Sequence, residues 1–130
     1  MVGIDTNILL RFVVEDDPGQ TAKALRLFQS LTPEEPAFVT LVALTEWVWV
    51  LRRRYKLSKA EVVRCVAELI NSPEIVLEND AAVAQALAVF STMNADFPDC
   101  LIERLGLIHG CSHTFTFDKK SAKLPGMLLL

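Results

Sequence analysis

The order of segments predicts an α/β fold: a three-layer α/β/α sandwich around a five-stranded, mainly parallel sheet. Three observations carry this. Short apolar runs of strand length, at residues 2–4, 37–39, 75–77, 114–117 and 127–130, alternate with longer segments of helical periodicity. The breaks between them are rich in Pro, Gly, Ser, Asn and Asp. Strands separated by helices run parallel, and a parallel sheet is covered on both faces. At 130 residues, without an internal repeat or a low-complexity linker, the chain is expected to form a single domain over residues 1–130.

Taken in order, Val2 to Ile4 feeds the first strand, and Asp5-Thr6-Asn7 interrupts the apolar pattern before a short helix from Ile8. Glu15 to Gly19 is a turn with a helix-start signal. Gln20 to Leu31 then places Ala24, Leu25, Leu27, Phe28 and Leu31 at helical spacing. Thr32 to Pro36 breaks that helix, Ala37-Phe38-Val39 is the second strand, and a long helix is expected from Thr40 to about Lys56. Ser58 with Glu61 three residues on forms a capping box for a helix over Lys59–Asn71, which Ser72-Pro73 ends. Ile75-Val76-Leu77 is the third strand. Asp80 is expected to cap an Ala-rich helix to about Met93, and Asp99 to open another that runs to Ile108 and closes at Gly110. Thr114 to Phe117 is the fourth strand, 119–123 a polar connection, and Met127 to Leu130 the last strand.

Hydrophobic residues make up 52% of the chain, a surplus compatible with a partner-covered surface. Cys65, Cys100 and Cys111 have no metal-ligand spacing and read as reduced thiols of a cytoplasmic protein. No basic region followed by an apolar stretch marks a secretory signal. The most apolar internal stretch, 37–51, is too short to span a bilayer and carries Glu46. The formal net charge of −3 argues at first against a nucleic-acid partner. Setting aside Asp5, Glu46, Asp96, Asp99 and Asp118 as one metal-binding group leaves a small positive balance, with basic residues bunched at 52–56 and 119–123. The same bunches are equally explained as solvated helix ends.

Ligands of an open α/β sheet bind at the carboxyl ends of its strands. Asp5 ends the first strand and Asp118 the fourth, so neighbouring strands would bring two carboxylates into one crevice. There they raise each other's pKa or require a cation. Glu46 is the only charge in FVTLVALTEWVWVL, with Val42, Ala43, Trp49 and Val50 around it. A lone carboxylate on a buried apolar face is costly, so it points into the crevice, to solvent, or to an arginine at the basic end of its helix. Asp99 is explained by an N-cap or by a metal, and Asp96 is a loop acid beside it. Thr6, Asn7 and Thr116 are polar neighbours able to orient these carboxylates. All-oxygen ligation selects Mg²⁺ or Mn²⁺, which serve phosphodiester hydrolysis. His109 and His113 flank a turn, and Trp47 and Trp49 fall on different helix faces as core and interface residues.

With these residues assembled, the chain resembles PIN-domain ribonucleases, the VapC toxins of toxin–antitoxin pairs above all. The matching pieces are GIDTNILLR, LTEWVWVLRRRY, ADFPDCLI and TFDKKSAKLPG, in that order along the chain. The resemblance implies a sheet of order 3-2-1-4-5. It also implies Mg²⁺- or Mn²⁺-dependent cleavage of RNA, with Asp5, Glu46, Asp99 and Asp118 as catalytic and metal-binding acids and Asp96 beside them. Further implications are a homodimer, a cognate antitoxin protein as partner, and no membrane association. Lys120 stands where the family often has a second acid, so with Arg11 it is a candidate for substrate phosphate. Cys100 and Glu103 replace small residues, and Pro98 is unusual before Asp99. Two other readings share parts of this pattern. One is a receiver-like signalling domain with an acidic Mg²⁺ pocket, which lacks its paired acids and late lysine here. The other is a catalytically silent RNA- or partner-binding module.

Overall fold

A computed structural model describes all residues, 1–130. The chain divides into two compact units, Met1–Glu78 and Asn79–Leu130.

The first unit holds β1 (Val2–Gly3), α1 (Thr6–Leu10), α2 (Pro18–Ser30), β2 (Ala37–Val39), α3 (Leu41–Arg53), α4 (Lys59–Asn71) and β3 (Ile75–Leu77). Its strands pair in parallel in the order β1-β2-β3, with Gly3 opposite Phe38 and Phe38 opposite Val76. Each helix starts where a side-chain oxygen meets an otherwise unsatisfied backbone N–H. Asp5 caps α1, Asp17 caps α2 ahead of Pro18, Thr40 caps α3, and Ser58 with Glu61 forms the expected capping box on α4. The core gathers Leu9 and Leu10 of α1, Leu44, Trp47, Val48 and Leu51 of α3, and Val62 and Val66 of α4, with Ala37 and Val39 of β2. Helix α3 stops at Arg53, short of the expected Lys56, because Lys56 takes a left-handed conformation (φ 57°).

The second unit holds α5 (Asp80–Thr92), α6 (Phe97–Ile108), β4 (Thr114–Thr116), a 3₁₀ turn (Ser121–Lys123) and β5 (Met127–Leu129). Strands β4 and β5 are parallel, with Phe115 opposite Leu128. Of the expected order 3-2-1-4-5, each unit carries its own part, the ladder 3-2-1 in the first and 4-5 in the second, and the strands do not pair as one five-stranded ladder. Two helix starts differ from expectation. Asn79, not Asp80, caps α5, from a left-handed conformation (φ 51°) that Asn tolerates. Helix α6 begins at Phe97 with Asp96 at the cap position, not at Asp99. Pro98 falls in the first turn, where its missing N–H costs nothing. Gly110 follows the C-cap with φ 87°, the left-handed turn that closes α6 as expected.

Phe90 of α5 and Phe97 of α6 meet edge to face at 5.8 Å, both buried. A charge is buried in this unit as well, since Glu103 of α6 is fully buried. Its carboxylate receives two hydrogen bonds from the Arg104 guanidinium and a third, at 2.8 Å, from the backbone N–H of Gly126. A Cβ at position 126 would stand 2.6 Å from Glu103 Oε1, so only glycine lets the chain before β5 come this close. No helix is long and apolar enough to cross a membrane.

Removing the Glu103 carboxylate leaves a buried backbone donor and a half-buried guanidinium unpaired, and opens a cavity. Glu103→Ala should destabilise the protein by about 2–4 kcal/mol in chemical denaturation. Gly126→Ala should destabilise it through the same contact, and the two losses should not add.

Candidate functional site

The acids expected to act together fall on both units, and each unit presents its own set. In the first, Asp5 sits where β1 hands over to α1. Its Oδ1 accepts the N–H of Ile8 at 3.1 Å. That fixes the carboxylate and leaves Oδ2 available. The N-cap reading and the site reading of Asp5 are thus compatible, because the cap uses one oxygen of two.

Glu46 lies on α3 and, with Asp5, Thr6 and Thr40, lines a cavity of about 450 Å³ whose apolar wall includes Phe38 and Val42. Of the apolar neighbours of Glu46 on α3, Ala43 is buried and Val50 half-buried. Val42 is 77% and Trp49 56% exposed, so Glu46 belongs to a solvent-facing stripe of α3 with an apolar residue on either side. Trp47, by contrast, is core, 1% exposed. No arginine at the basic end of α3 pairs with Glu46. Thr6 is buried beneath the cavity wall and Asn7 is exposed.

Arg11, expected at substrate phosphate, is 94% buried along its side chain. Its guanidinium donates to Asp16 at 2.6 Å, and Asp16 also accepts from the Tyr55 hydroxyl at 2.6 Å. These donors, Tyr55 first and then Arg11, hold the Asp16 carboxyl below its ordinary range.

In the second unit, Asp118 follows β4. Its Oδ1 accepts the N–H of Lys120 at 2.9 Å, and its Oδ2 accepts the hydroxyl of buried Ser121 at 2.9 Å. These hydrogen bonds hold its carboxyl below the usual range, the Lys120 N–H contributing most and Ser121 next, so Asp118 is anionic near neutral pH. The Thr116 hydroxyl accepts the backbone N–H of Asp118 at 3.0 Å and does not touch its carboxylate. Lys120 extends its ammonium to Asp96 Oδ1 at 3.3 Å. Asp96 makes no side-chain cap bond to α6, and Asp99 stands in the first turn of that helix. In neither unit do three or more acidic, His or Cys side chains close around one point.

Three contributors escaped the sequence reading: Ser121, Thr40 and Glu78. Ser121 follows Asp118 at the Asp-x-x-Ser spacing of a turn-capping pair, which was the available signal. Thr40 lines the cavity while capping α3, and Glu78 Oε2 accepts the Leu41 N–H at 2.8 Å.

A family model described as the PIN domain matches residues 2–127. The chain belongs to the PIN-domain family. This PIN domain is also 24% identical, over 123 residues, to a protein named VapC ribonuclease from Aquifex aeolicus (strain VF5); the alignment covers 93% of this chain and 90% of that one. Within this PIN domain, Asp5 and Asp118 are each oriented by hydrogen bonds from their own stretch of chain.

Two outcomes follow from this geometry. Asp5→Ala should lower stability by about 1 kcal/mol through loss of the α1 cap, whereas Asp5→Asn keeps a capping oxygen and should unfold with the wild type. The Asp118 hydrogen bonds stabilise the fold above the ordinary carboxylate pKa and are lost as pH falls through the lowered folded value. Ser121→Ala should therefore move the Asp118 midpoint upward in an NMR carboxyl titration.

Proposed function

We propose that this PIN domain is a divalent-metal-dependent endoribonuclease, the toxin component of a toxin–antitoxin pair. In this reading Asp5, Glu46, Asp99 and Asp118 are the catalytic and metal-binding acids, and Asp96 assists. The observation that carries it is the cavity shared by Asp5 and Glu46, whose polar lining is carboxylate and threonine hydroxyl. Such a donor set is all oxygen and suits Mg²⁺ or Mn²⁺ rather than a soft metal. The likeness to a VapC ribonuclease supports RNA as substrate, and a cognate antitoxin as protein partner and a homodimer as assembly are part of the same proposal. In this reading the enzyme acts in the cytoplasm.

When bound, the cation supplies an activated water and offsets charge on the phosphoryl group. The chain's own residues contribute orientation and charge. The α1 cap holds Asp5 with one oxygen turned free. The Ser121 hydroxyl and the Lys120 N–H keep Asp118 ionised and fixed in direction, and Thr116 sets the backbone that carries it. Thr6 and Asn7 flank Asp5 and complete the polar setting around it. Lys120, tethered to Asp96 by an exposed ion pair, is placed to exchange that partner for a substrate phosphate.

The test is hydrolysis of RNA by purified protein, with EDTA and then added Mg²⁺ or Mn²⁺. Asp5→Asn, Glu46→Gln, Asp99→Asn and Asp118→Asn should each reduce cleavage by about 10²-fold or more, and double substitutions should lose little beyond the singles. Wild-type rates in any of the four variants remove that residue from the assignment. Metal-independent cleavage overturns the mechanism. Lys120→Ala should raise KM for RNA while kcat holds, and an unchanged KM removes its contact with phosphate.

A further inference from the structure

Asp5 borders a second cavity, of about 510 Å³, on the side of α1 and α2. Its wall is built from Gly3, Ile4 and Asp5, shared with the first cavity, and from Asn7, Arg11, Gln20 and Lys23, among others. The two cavities differ in charge. The first is lined by two carboxylates and no cation, while the second is lined by Arg11 and Lys23 with Asp5 as its one carboxylate. Two polar side chains of the second are also uncommitted. Lys23 joins no ion pair, and the side chain of Gln20 joins no hydrogen bond, since the Gln20–Asp17 bond uses the Gln20 backbone. Arg11 is committed only in part: it bonds Asp16, but its Nε–H is buried with no acceptor in the protein. An orphaned guanidinium donor calls for an acceptor from outside the chain, direct or through water. Gly3 has open space where a Cβ would stand, so nothing obstructs the ridge between the cavities.

We propose that this second cavity is a nucleotide subsite, binding the RNA residue next to the scissile phosphate, with its phosphate at Lys23 and Arg11 and its base at Gln20. The volume falls within the ~300–1,000 Å³ of small-ligand pockets and accommodates one nucleotide. A polyanion crossing Asp5 meets carboxylates only where a cation intervenes and meets basic side chains beyond it. The carboxamide of Gln20 carries both a donor and an acceptor, which suits a base edge in a single strand. This inference rests on the ribonuclease reading for the word scissile, while the binding itself is independent of hydrolysis.

The experiment measures binding of fluorescently labelled hexaribonucleotides by anisotropy, in EDTA, over a range of salt. Lys23→Ala should weaken binding about five- to tenfold and reduce the salt slope by about 0.7, the loss of one phosphate contact on a single strand. Lys23→Arg should restore both. Gln20→Ala should alter the relative affinities for oligo(A), oligo(C) and oligo(U) while leaving the slope in place. Unchanged affinity and slope in Lys23→Ala overturn the subsite, as does a wild-type protein that binds none of these oligonucleotides. Binding that depends on Lys23 in a protein without cleavage activity keeps the subsite and removes the nuclease. Cleavage with a Lys23-independent KM does the reverse.

Discussion

The hydrogen bond from the Ile8 N–H to Asp5 Oδ1 is the interaction on which the arrangement of the first unit turns. A two-residue strand cannot continue past Ile4, because the chain must become helical to bury Leu9 and Leu10. The first turn of any helix presents N–H groups without partners, and an acid at the junction satisfies one of them. The cap therefore accounts for the presence of a carboxylate at the end of β1 without any reference to chemistry. It also accounts for that carboxylate being rigid and half available. Function at this position requires no departure from what folding already selects.

The second unit reaches the same end by a different route. Asp118 is not at the start of a long helix. It is held from both oxygens by a short turn, with the Lys120 N–H and the Ser121 hydroxyl as donors. Donors on both oxygens favour the charged form more strongly than one cap bond, which is why its carboxyl is pulled below the ordinary range. A carboxylate oriented by its neighbours retains lone pairs for a cation and needs no reorganisation to receive one. The two acids are thus prepared by local hydrogen bonding within their own units.

What could be read from the sequence was local and periodic. Ser58 and Glu61 signalled α4 to the residue, and the apolar strands were short enough to be recognised between breakers. Runs of competing caps were harder. Asn79-Asp80 and Asp96 to Asp99 each offer more than one good N-cap, and backbone conformation decided between them. The end of α3 was hidden for a related reason: Arg54, Tyr55 and Lys56 suit a helix well, and a left-handed Lys56 stops it nonetheless. Burial of charge was the least legible. Glu103 is paired with its immediate neighbour Arg104 and with the backbone of Gly126, and helical side-chain spacing signals neither contact. Around Glu46 the apolar pattern left crevice, solvent and arginine open, and the exposure of Val42 and Trp49 puts it on a solvent-facing stripe.

The exposure of Glu46 bears on how the acids work. A glutamate sealed in an apolar face would need a fixed counter-charge to remain ionised, and a cation could reach it only by breaking that pair. Glu46 carries no such burden. It sits at an open cavity with Asp5, across from a hydroxyl-bearing helix start and without a competing arginine. The two basic residues that line a cavity with Asp5 form no ion pair with it, Arg11 being bonded to Asp16 and Lys23 to no acid. Had either been paired with Asp5, the acid would be neutralised within the protein and a divalent cation would gain little by binding. Keeping opposite charges on opposite sides of one carboxylate lets a cation and a polyanion approach the same residue together.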